Sequence, residues 1–190
     1  QTCALPIWFP SLCFMDAEGN VLAKPGRSVE SFVSTHAQVK DLAVLRAKTE
    51  RTPAEEKQLF LAELKLGLIA REAIQPRADR LSLDDAEKAM VAGKLTDAEV
   101  QDLLAKIREV GAEKTGEAIA AMAKAGRKPS QDGAGVFWLQ TLQHASRNKD
   151  AALAQQAHGA LVSRFEGEKS PGMERQRQLW KKLLDEAQAK

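Results

Sequence analysis

Beyond His36 the chain carries no further convincing strand and offers instead a close-set series of helix starts and stops, the strongest constraint on what it can fold into. Thr52-Pro53-Ala54-Glu55 is a capping box with proline at the first helical position, where the missing N–H costs nothing. Leu59, Phe60, Glu63-Leu64 and Leu68 then recur every three to four residues, as one helical face requires. Ser82 is placed to cap a short helix that Gly93 ends. Thr96-Asp97-Ala98-Glu99 reads as a second capping box, and Val100, Leu103, Leu104 and Ile107 as the stripe of a helix that stops at Gly111. Further helices are predicted over 113–125, closed by Gly126, over 133–147 around Val136-Phe137-Trp138-Leu139, and over 150–165. A last one over 172–188 carries Met173, Leu179, Trp180, Leu183 and Leu184. Loops of about two to six residues make consecutive helices pack antiparallel, so the expectation is a mainly α chain ending in an antiparallel helical-hairpin array over 52–190.

A weak repeat runs through this part: Ala89-Met90 leads to Gly93-Lys94, and Ala121-Met122 leads to Gly126-Arg127. The spacing is near that of tetratricopeptide arrays, although the Trp, Leu-Gly, Tyr and Pro signature is missing and the chain has no tyrosine. Such arrays present a concave surface to peptides or proteins.

The first forty residues read differently. Leu12 to Met15 is a short apolar run without alternation, as in a strand covered on both faces. Asp16, Gly19 and Asn20 supply a turn, Val21 to Ala23 a second short strand, and Pro25-Gly26 a further turn. Ser28 then caps a helix whose stripe is Val29, Phe32, Val33, His36 and Val39. The seven residues before this pattern, Gln1 to Ile7, fit no element of it. Their reverse translation, CAG ACG TGT GCT CTT CCG ATC, resembles the end of a sequencing-library adapter whose next base begins the Trp8 codon. Residues 1–7 are therefore set aside as an adapter-derived scar. Cys3 falls within it, so Cys3 and Cys13 form no redox or disulfide pair, and their spacing fits no CxxC motif.

Phe9-Pro10-Ser11, the apolar strand, Asp-x-x-Gly-Asn, a second strand and a closing helix resemble, in that order, the C-terminal half of the thioredoxin-like fold. The resemblance covers residues 8–40, with 41–51 a linker or helix continuation. It implies that Pro10 matches the family's cis-proline, that Phe9 helps line the substrate groove, and that the complete protein is a thiol–disulfide oxidoreductase acting on protein thiols and disulfides. It also implies an exported, periplasmic protein. Taken alone, Pro10 reads as a strand start. The family's CxxC lies upstream of this hairpin, and Cys13 does not match it: inside an apolar strand a cysteine is a small inert hydrophobe. This chain is therefore expected to be an inactive fragment with no catalytic residue and no cofactor. The alternative is a helical scaffold that binds a protein or peptide and catalyses nothing.

Other function classes find little support. Lys plus Arg number 28 against 26 Asp plus Glu, interleaved throughout, so no field steers nucleic acid. The opening uncharged run is too short for a membrane span and is broken by Pro6 and Pro10. His36, His144 and His158 lack metal-ligand spacing, and His36 is expected to pack along its helix with one ring edge solvated. Asp84-Asp85 suits the first turn of a helix, where the dipole favours carboxylates. Phe137 and Trp138, adjacent on a helix, face different ways, one into the core and one over a neighbour. Gly133-Ala134-Gly135 lacks the strand and spacing of a phosphate loop.

Overall fold

A computed structural model describes residues 12–26 and 28–189, which divide into two compact units, up to Leu83 and from Asp84 onward. The architecture is mainly α, with one two-stranded hairpin and nine helices among the described residues.

In the first unit β1 (Phe14–Met15) pairs antiparallel with β2 (Val21–Ala23), Phe14 opposite Ala23 and Met15 opposite Val21, with an irregular step between them. The turn forms for the reasons its residues suggest. Asp16 Oδ1 accepts from the Asn20 N–H at 2.7 Å, its Oδ2 accepts from the Asn20 side chain at 2.9 Å, and Gly19 supplies φ +86°. Helix α1 (Val29–Arg46) starts where Ser28 Oγ accepts from the Ser31 N–H at 3.1 Å, and it continues into the 41–51 segment expected to be linker or continuation as far as Arg46. Helix α2 (Pro53–Leu66) has the full capping box and ends on left-handed Gly67, φ +71°.

Helix α3 (Arg71–Ala78) has no counterpart in the sequence pattern. It is one of the shorter helices, has no side-chain cap and contains Pro76, so neither a start signal nor a clean stripe marks it. Its Ile74 and Ala78 are nevertheless buried, so packing overrides the weak local preference.

The second unit opens with the largest correction. In place of one helix ended by Gly93 and another started by Thr96, there is a single helix α4 (Asp85–Ala105), capped not by Ser82 but by Asp84, whose Oδ1 accepts from the Glu87 N–H at 2.8 Å. Asp85 occupies the first turn, as its charge predicts. Gly93 is buried in the middle of α4 because a loop passes against it: a Cβ there would lie 3.0 Å from the Ser130 nitrogen. The apparent second box is interior, and its side chains hold that loop. Thr96 bonds back to the Ala92 carbonyl, Asp97 accepts from both the N–H and the hydroxyl of Ser130, and Glu99 pairs with Arg127 at 2.6 Å. The two Ala-Met to Gly segments are consequently not structural repeats. Gly93 lies inside a helix, whereas Gly126 is a left-handed terminus with φ +76°.

A short turn α5 (Ile107–Val110) follows, ended by Gly111, and then the helices expected from the pattern: α6 (Ala112–Lys124), α7 (Ala134–Arg147), α8 (Ala151–Arg164) and α9 (Pro171–Gln188). Helix α7 is central, packing on α6, α8 and α9. Its Phe137 is fully buried with Ile119, Leu142, Ala154, Leu161 and Trp180, while Trp138 sits half-buried with its ring edge-on to Phe137 at 4.8 Å. Burial of this cluster, at roughly 25 cal/mol per Å² of apolar surface, holds the second unit together.

Candidate functional site

Phe9 and Pro10, the residues assigned to a substrate groove, lie outside the described residues, as do Gln1 to Ile7. The described part of the same segment forms an apolar face. Phe14 places its ring 5.1 Å from Phe32 and 5.8 Å from His36, which fixes the hairpin against the first turns of α1. Leu22 and Ala23 are buried beneath it.

The rest of the apolar stripe is open. Val29 is 76% exposed, Leu12 62%, Val33 59% and Met15 52%, and Val21 and Phe32 are exposed as well. This corrects two expectations. The run Leu12 to Met15 is not covered on both faces by described residues, since Phe14 packs on Phe32 and His36 while Leu12 and Met15 stand exposed. Cys13 precedes β1 and is exposed rather than packed inside an apolar strand. His36 is exposed, touching Phe14 with one side of its ring.

Among the described residues the face brings together no pair of groups disposed for nucleophilic or acid–base chemistry. Beside it the Asp16 carboxyl lies below the usual range because the Asn20 side chain, then the Asn20 N–H, bond to its charged form. What the face offers is apolar contact, and contiguous exposed apolar surface on a folded unit marks a place where something else binds.

A second cluster lies behind it. Glu63 is buried, and its carboxylate accepts from Arg46 Nη2 at 2.8 Å and Nε at 3.1 Å, and from Arg77 Nη1 at 2.8 Å. The Arg77 guanidinium also stands over the Phe60 ring at 5.4 Å. One carboxylate thus ties α1, α2 and α3 together. Its signal was in the sequence, since Glu63 stands on the apolar face of α2, where a charge requires a partner. The partners were not legible, because Arg77 lies on α3, which carries no start signal, and Arg46 stands 17 residues away on another helix. With three hydrogen bonds from two arginines on the buried carboxylate, this cluster is structural.

Among the described residues no group of three or more His, Cys, Asp or Glu side chains is arranged to hold a metal ion, and no helix is long and apolar enough to cross a membrane. His144 and His158 lie on α7 and α8, and His144 contacts Asn148 one turn on. Gly133 and Gly135 serve packing: a Cβ on Gly133 would overlap the Asp97 carboxylate, and one on Gly135 would press on the Phe165 ring. No family model, curated protein or solved structure matches the chain.

Proposed function

We propose that the hairpin and α1 are the closing elements of a thioredoxin-like domain, and that the complete protein is a thiol–disulfide oxidoreductase of which this chain is an inactive part. The observation that carries this reading is the open apolar face of Leu12, Met15, Val21, Val29 and Val33. A hairpin of this size is marginal in water by itself, and its strand edge and apolar stripe call for further strands and a helix over them. In that arrangement Pro10 would present a backbone edge to an extended substrate and Phe9 would line the groove beside it. The only cysteines here are Cys3 and Cys13, so the redox pair would come from the covering half.

The test is the sequence of the complete gene and the activity of its product. The reading requires CxxC following a strand at a helix N-terminus, where the dipole lowers the thiol pKa, and reduction of a protein disulfide that vanishes when the first of those cysteines is changed to serine. A preceding domain without paired cysteines overturns it.

A second reading rests on the groove of about 280 Å³ beside Trp138, walled by the Arg127 to Gln131 loop. There the helical unit would be a scaffold that takes a peptide or protein, and the complete protein would keep its function after loss of its redox cysteines.

A further inference from the structure

We infer that the groove between α1 and α2 is a homodimer interface, in which two copies of this chain dock their α1–α2 hairpins face to face about a two-fold axis running along the groove. Helices α1 and α2 fold back on each other through residues 47–52, and Lys48 bonds Glu55 at the closed end. Stepping three or four residues along each helix from that pair reaches Leu45 and Gln58, then Asp41 and Ala62, then Gln38 and Lys65, and all of them line one open groove of about 590 Å³. It runs about 15 Å, ten residues of helix at 1.5 Å each. Its floor is Val44, Leu45, Leu61 and Ala62, and Val44 is 56% exposed. Two antiparallel helices with an apolar seam left open are half of a four-helix bundle, and a second copy supplies the other half.

The charges on the rim select the occupant. Asp41 and Lys65 flank the open end, and neither has an ion-pair partner among the described residues. Lys48 and Glu55 flank the closed end and pair with each other. A two-fold axis along the groove lays α1 of each copy over α2 of the other at the same height. Asp41 then meets the second copy's Lys65 within about one helical turn, twice over, and Lys48 meets Glu55. Acid falls on base at every corner, as an isologous interface demands. The perpendicular axis would instead set Asp41 against Lys48 and Lys65 against Glu55, two charges that already hold each other, so the axis along the groove is the one that brings the two unpaired charges together. At 100° per residue, the Asp41 and Leu45 face of α1 lies on roughly the opposite side from the Phe32 and His36 face. The dimer is therefore independent of whatever covers the hairpin.

Sedimentation velocity of the full chain across micromolar concentrations tests the inference. A concentration-dependent dimer is expected, weakened about tenfold or more by Asp41→Lys or by Lys65→Asp and abolished by Val44→Arg, with far-UV circular dichroism unchanged because all three sites are exposed. The two single reversals should form a dimer when mixed, and the Asp41→Lys/Lys65→Asp double variant should regain the original affinity. A chain that stays monomeric throughout overturns the inference, as does a dimer indifferent to both reversals or a double variant weaker than either single one. Association through the open hairpin face would give that indifference, so failure here leaves the thioredoxin-like reading standing.

Discussion

Phe137 and Phe32 carry the same ring into opposite surroundings. The first is fully buried in the α6 to α9 core, while the second is 40% exposed at the edge of a hairpin whose stripe is largely uncovered. The helices from Asp84 onward complete their own apolar faces, because each short loop returns the next stripe to the same cluster. The hairpin and the start of α1 have as regular a stripe and nothing described to lay on it. Regular patterning therefore shows that a face is meant for burial without showing that its partner is at hand.

Hydrogen exchange gives this contrast its largest expected size. Amides of α6, α7 and α8 should be protected at least about 1,000-fold more than those of Phe14, Met15 and Val21, because the hairpin opens locally while the core opens only with the whole unit. Comparable protection in the two places would break the comparison and with it the proposal that the hairpin awaits a covering half.

Truncating the two rings sharpens it. Phe137→Ala should cost about 3–5 kcal/mol, the transfer of a full ring plus the cavity left in a closed core. Phe32→Ala should cost under about 1 kcal/mol, since the ring is already partly in water and loses chiefly its contact with Phe14. Urea denaturation followed by circular dichroism measures both. A large loss at Phe32 would mean that the apolar face is covered in solution, most simply by another copy.

Glycine substitutions test the reading of α4 at finer scale. Gly159, within α8, has open space where a Cβ would go, so Gly159→Ala should stabilise by about 0.5–1 kcal/mol. Gly93→Ala gains the same propensity but sets a methyl 3.0 Å from the Ser130 nitrogen and 3.2 Å from its Cα, in a loop held by Asp97 and Glu99. A net loss of about 1 kcal/mol is expected. Stabilisation by Gly93→Ala would mean that the loop is not held against the helix.

These cases also mark what was legible beforehand. The hairpin, α1, α2 and α6 to α9 were readable because the hydroxyls of Ser28 and Thr52 and the backbones of Gly111 and Gly126 act within a turn of where they stand. The split of α4 at Gly93 was misread because Gly93, Thr96, Asp97 and Glu99 answer to Ser130 and Arg127, more than twenty-five residues away, and local patterns carry no information about such partners. Glu63 announced a buried charge but not the two arginines that meet it. Of the candidate site, the apolar stripe was legible residue by residue, whereas its exposure is a fact about the rest of the molecule. The exposed Cys13 is the same lesson in one residue.

The smallest contrast lies in acid, between a helix cap in each unit. Glu55, closing the α2 capping box, is held down to about 2 from an ordinary 4.5, first by its hydrogen bond from Lys48, then by the N–H and hydroxyl of Thr52. Asp150, at the cap of α8, is lowered first by Lys124 and then by the Leu153 N–H. A carboxylate whose folded pKa is depressed contributes stability above its unfolded value, so the Glu55 contribution is fully present at neutral pH. It drains away as pH falls from about 4.5 toward about 2. Both groups lie at the surface, so added salt should shrink both effects. Carboxyl carbon shifts followed by NMR through an acid titration should show Glu55 ionising near about 2, well below the ordinary 4.5. Lys48→Met should raise its midpoint toward the ordinary value, and Thr52→Ala should move it less, because it removes the hydroxyl and leaves the backbone N–H. Lys124→Met should raise the Asp150 midpoint without touching Glu55, since each cation acts only within its own unit. A Glu55 midpoint unmoved by Lys48→Met would show that the backbone cap alone holds its proton off.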